Sequence, residues 1–122
     1  MSVKDTARHP EHGSSRRSFA TSVSGQLLPP KLRQQLRAEG RRFLELAPKV
    51  DDVWLHYTEV AHGWRIRQVT DQSQNYPFVP ATQSIALNAT NVFEGGNDRQ
   101  LAACHTEATR SRIAADAERL AR

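Results

Sequence analysis

The stretch Val50–Val69, VDDVWLHYTEVAHGWRIRQV, decides the fold. It reads either as one amphipathic helix or as two strands folded over His62-Gly63. On a helical wheel of about 100° per residue, Val50, Val53, Trp54, Tyr57, Val60, Ala61 and Trp64 fall within about 120° of one another. Leu55 and Ile66 fall on the other side. The hairpin puts His62-Gly63 in a two-residue turn and pairs Ala61 with Trp64, Val60 with Arg65 and Glu59 with Ile66. Neither face of that ribbon is consistently apolar, and a half-buried sheet needs one that is. Charge placement agrees with the helix: Asp51 and Asp52 sit at its positive N-terminus, Arg65 and Arg67 near its negative C-terminus. The β-branched and aromatic content pulls the other way. The expectation is a helix, with an α+β fold carrying a hairpin at 53–70 as the alternative.

Working outward, Pro29-Pro30 opens a first helix. Leu32, Leu36, Phe43, Leu44 and Ala47 recur at helical spacing until Pro48, with Gly40 a weak point in the middle. Arg33, Arg37 and Arg41 stack on the opposite face. After Val69, "DQSQNYPFVPATQ" is a loop, because Pro77 and Pro80 forbid regular structure. Tyr76, Phe78 and Val79 are expected to tuck under the domain as an apolar clip. A third helix follows from Ala81, with Ile85, Ala89, Val92 and Phe93 on one face, and Gly95-Gly96 ends it. Asn97 or Asp98 caps a last helix with a thin stripe of Leu101, Ala108 and Ala115. The predicted fold is mainly α: a small four-helix bundle-like domain over 29–122 with a Pro-rich crossover loop.

Residues 1–28 are Ser-, His- and Arg-rich with little periodicity and read as a flexible basic arm. Within it, "SRRSF" looks like the core of a twin-arginine signal, but the polar "ATSVSGQ" follows where an apolar stretch is required. The same residues resemble the end of a mitochondrial presequence, against which stand Asp5, Glu11 and Pro10. No apolar run approaches the roughly 18 residues of a membrane span. The one cysteine, Cys104, excludes an internal disulfide framework and fits a reducing compartment. The expected location is the cytoplasm, with the mitochondrion as a minor alternative.

The chain carries 17 basic and 13 acidic residues. Arginine outnumbers lysine 14 to 3, and Arg forks hold carboxylates and phosphates at two points. Lys31–Lys49 has six bases against Glu39 and Glu45, whereas Val50–Gln72 has Arg65 and Arg67 against four acids. The first segment suits acidic partners and its neighbour does not. Arg16, Arg17, Arg33, Arg37, Arg41 and Arg42 are the candidate contacts to phosphates or to an acidic partner. Trp54, Tyr57 and Trp64 form a candidate aromatic platform, although aromatics at helical spacing more often belong to a core.

Nothing else carries chemistry. His56 and His62 lie on different faces of a helix, and Cys104 and His105, as neighbours, point apart. Each histidine is expected to be solvated or singly hydrogen-bonded. No catalytic residue, metal site or cofactor is expected. The expected function is a non-enzymatic accessory, adaptor or inhibitor that binds another protein through a helical surface, or itself as a homodimer. The alternative is a DNA- or RNA-associated protein using the basic arm and first helix.

Overall fold

The computed structural model describes residues 15–22, 25–69, 76–77, 79–80 and 96–120. They form helices α1 (Pro30–Ala38), α2 (Phe43–Leu46), α3 (Asp51–Ala61), α4 (Gly96–Cys104) and α5 (Glu107–Leu120). Among the described residues there is no β-sheet, only an isolated antiparallel bridge between Ser15 and Ile66. The chain is mainly α, and α3 is its axis: α1, α2, α4 and α5 all pack against it.

The deciding stretch is a helix with an early end. Val53, Trp54, Tyr57 and Val60 are buried, and Ala61 packs against them. The helix stops in a Schellman motif. Trp64 N–H donates to Glu59 O at 2.8 Å and Gly63 N–H to Val60 O at 3.1 Å, with Gly63 at φ 83°. Trp64 therefore leaves the helix, yet it stays half-buried and its indole Nε1–H donates to Gln35 Oε1 on α1 at 2.7 Å. The hairpin at 53–70 does not form. The extended backbone at Ile66 pairs instead with Ser15, through two hydrogen bonds of 2.9 Å.

The expected first helix is broken in two. Gly40 adopts φ 65° and ends α1, so Phe43 starts a separate short helix. The last helix is broken as well. Thr106 N-caps α5 through its hydroxyl to Thr109 N–H, leaving His105 in the bend between α4 and α5. The Leu101, Ala108 and Ala115 stripe is exposed, and α5 turns Thr109 and Asp116 inward instead.

The segment read as a flexible arm is partly packed. Residues 1–14 lie outside the described residues, but Ser15, Ser18 and Ala20 are buried. Ser22 donates its N–H to Asp52 Oδ1 at 2.8 Å, holding the segment to the start of α3. This packing rests on hydrogen bonds more than on apolar periodicity, which is why periodicity did not reveal it. Tyr76 and Val79 are exposed and form no buried clip. Phe78 and the helix expected from Ala81 lie outside the described residues. Among those residues no helix is long and apolar enough to cross a membrane.

Candidate functional site

The N-terminal segment, α3 and α5 meet along one side of α3. That side is polar, and every buried polar group on it needs a partner. His56 of α3 and His105 of the α4–α5 bend are forty-nine residues apart in sequence and hydrogen-bonded, Nδ1 to Nε2, at 3.1 Å. His56 Nε2 lies 3.0 Å from Arg16 O, which can only accept, so Nε2 carries a proton. In the neutral pair His56 Nδ1 then accepts from His105 Nε2–H. His105 Nδ1 lies 3.1 Å from Thr109 Oγ1, whose hydroxyl donates to Thr106 O at 2.9 Å. All four ring nitrogens are engaged, which corrects the expectation of solvated or singly bonded side chains for these two histidines; exposed His62, bonded once to Glu39, fits it.

Burial pushes the His56 pKa below its usual value, with the backbone contacts of Arg16 and Ser18 opposing it. His105 is pushed down to about 4, first by burial and then by the charges of His56 and Arg110. Both rings are therefore neutral at neutral pH. They belong to a run of ring contacts: Phe19–His56 at 5.1 Å, His56–His105 at 5.1 Å and His105–Tyr57 at 5.9 Å between centroids.

Asp116 sits beside this pair and is 2% exposed. It accepts from Arg16 N–H at 2.7 Å and Arg16 Nη1 at 3.1 Å, and from Arg65 Nη2 at 3.2 Å. Burial alone would raise its pKa. The Arg16 N–H, the Arg65 hydrogen bond and the two guanidinium charges outweigh burial and hold it below the ordinary value. Arg112 donates to Val60 O at 2.9 Å and to Ala61 O, and Arg16 Nη2 donates to Gly63 O at 3.1 Å. Two arginines thus satisfy the carbonyls at the negative end of α3.

A cavity of 540 Å³ opens next to the histidines. Phe19, Leu101, Ala102 and Ile113 give it apolar walls, His56 and His105 complete them, and Arg17, Asp98 and Arg110 bring charge to its edge. The α1–α2 corner presents a different surface. Phe43 is 36% and Leu44 46% exposed, next to Arg41 and Arg42.

No protein-family model, curated protein or solved structure matches this chain.

The residues singled out from sequence divide into three groups. Arg16 is committed to Asp116 and Gly63, and so is unavailable to a phosphate. Arg17 lies at the cavity instead. Arg33, Arg37, Arg41 and Arg42 are exposed, although Arg42 pairs with Glu39 at 2.9 Å and the break at Gly40 takes Arg41 off the helical stack. Trp54 and Tyr57 are core residues with ring centroids 5.4 Å apart, and Trp64 is tied to Gln35. Sequence reasoning missed His56, His105 and Asp116. The one available signal was Thr106-Glu107, a helix start that would have broken the last helix beside His105.

Proposed function

We propose that this chain is a small non-enzymatic accessory protein that binds an acidic protein partner through the α1–α2 corner. The observation that carries the reading is the pairing of part-exposed Phe43 and Leu44 with exposed arginines. Aromatic and Arg side chains are enriched where protein partners meet, and apolar anchors inside a charged rim are typical of such surfaces. Phe43 is backed by Trp54, with centroids 6.5 Å apart, so it projects from a firm base. Arg33 and Arg37, one turn apart on α1, extend the positive rim. A homodimer resting on the apolar Phe43 and Leu44 is the alternative form of the reading, and the working compartment is the cytoplasm, resting on the single cysteine.

The absence of a chemical role is part of the proposal. The ring nitrogens of His56 and His105 are occupied by one another, by Arg16 O and by Thr109. Cys104 is buried, and burial pushes its thiol pKa up, away from the reactive thiolate.

Nucleic-acid binding through Arg33, Arg37, Arg41 and Arg42 is the second reading, favoured by their exposure. One pair of experiments separates the two. Sedimentation and affinity capture from the native cell are run with the wild type and with Phe43→Ser/Leu44→Ser; a self-association or a captured partner lost in the double variant supports the first reading. A titration with duplex and single-stranded nucleic acid is run at two salt concentrations. Micromolar or tighter binding that collapses at higher salt, unchanged in the double variant, replaces it with the second.

A further inference from the structure

We infer that the cavity between the N-terminal segment, α4 and α5 is a binding site for a small carboxylic acid with an apolar body, its carboxylate held by Arg17 and Arg110. The site shares no residue with the α1–α2 corner and stands whether or not that surface binds a protein.

Three observations converge on this ligand class. The volume, 540 Å³, lies within the range of about 300–1,000 Å³ in which proteins hold small molecules. The walls are apolar where the ligand's body would rest: Phe19 from the N-terminal segment, Leu101 from α4 and Ile113 from α5. Leu101 remains 37% exposed, an apolar surface that a ligand would cover. The histidines add ring surface and no free polar atom, because each ring nitrogen already has a partner.

Charge selects the head group. Arg17, Arg110 and Asp98 all line this space, so its charged lining carries one net positive charge beside apolar walls. A neutral occupant would desolvate that charge without replacing its water, and a cation would add to it. A carboxylate matches it and accepts the two-point hydrogen bonds that a guanidinium offers. Both guanidinium groups have capacity to spare. Arg110 makes one long bond, Nη2 to Ala102 O at 3.4 Å. Among the described residues neither arginine is paired with a carboxylate.

The test is a titration of the full chain with benzoate and hexanoate, followed by backbone amide shifts, with benzamide and hexanamide as uncharged controls. The expected result is saturable shifts at Phe19, Ala102, His105 and Ile113, with millimolar or tighter affinity on the order of that seen for fragments. The amides should bind at least ~10-fold more weakly, since the charge-assisted bonds are lost. Arg110→Gln should weaken benzoate by a similar factor, and Asp98→Asn should tighten it by removing the like charge. Both positions are exposed, so neither variant threatens the fold. Equal binding of acid and amide, shifts mapping to other helices, or no saturable shift overturns the assignment.

Discussion

Asp116 on α5 accepts hydrogen bonds from both the backbone and the side chain of Arg16, a hundred residues earlier in the chain. With Arg65 as a third donor group, this carboxylate joins the N-terminal segment, the extended stretch after α3 and the last helix. Removing it leaves the Arg16 N–H and Nη1 without their acceptor and turns Arg65 to water. Asp116→Ala should therefore cost about 3–5 kcal/mol, as breaking a buried ion pair does. Arg65→Ala should cost under ~1 kcal/mol, because that side chain is 41% exposed and Asp116 keeps its two bonds from Arg16. Urea unfolding of both variants measures the contrast, and equal losses would show that Asp116 does not join the three segments. The folded carboxyl lies below 3.8, so its contribution is complete above that pH and fades as acid carries the protein down through the lowered value.

The His56–His105 contact makes two checkable statements. The first concerns tautomers: at pH 7 both rings should carry their proton on Nε2, which nitrogen-15 chemical shifts report directly. A ring protonated on Nδ1 would reverse the direction of the chain of hydrogen bonds. The second concerns acid. Both folded pKa values lie below 6.5, so the unfolded chain takes up protons first. Their contribution is whole above pH 6.5 and declines as the pH falls toward the His105 value of about 4. His105→Phe should flatten that decline. A variant with the parent's acid profile would place the proton uptake elsewhere.

How much of this could be read from the sequence follows from what each part rests on. The α3 face from Val50 to Val60 was legible because burial of apolar groups leaves a periodic trace. So was Pro30 at the start of α1. The helix breaks are half legible: Gly40 reads as a weak point in a helix and Gly63 as a strand turn, but a left-handed glycine that ends a helix serves neither reading. The polar side of α3 left no trace. His56 is buried there against Arg16 of the N-terminal segment, and that segment is held by Ser15, Arg16 and Ser22 rather than by an apolar stripe. The contacts that make the site join residues about fifty to a hundred positions apart, and no local pattern encodes them.

Glu59 is the clearest liability among the buried polar groups. It is 6% exposed, its Oε2 has no partner among the described residues, and burial pushes its pKa up to about 7. The folded state thus holds a proton that the unfolded chain releases near 4.5. This residue's contribution is full below 4.5 and is lost as the pH rises through 7, opposite in sign to the histidines. By pH 8 the loss should be on the order of 3 kcal/mol. Glu59→Gln should remove that slope and raise the melting temperature at pH 8 relative to the parent. Identical slopes in the two proteins would mean that Glu59 is solvated when ionised.

Gly63 offers the sharpest test of how the deciding stretch ends. Its φ of 83° lies where a side chain is strained, yet a Cβ there would meet nothing within 4 Å. Gly63→Ala therefore isolates backbone strain from crowding and should cost about 1–2 kcal/mol. Gly63→Asn should cost less, since Asn tolerates the left-handed region. Relaxing the turn would also loosen Trp64 from Gln35 and Ile66 from Ser15, so amide exchange at Trp64 and Ile66 should quicken in the alanine variant. If Gly63→Ala melts with the parent and those amides keep their protection, the turn is not what sets the path of the chain from α3 to the N-terminal segment.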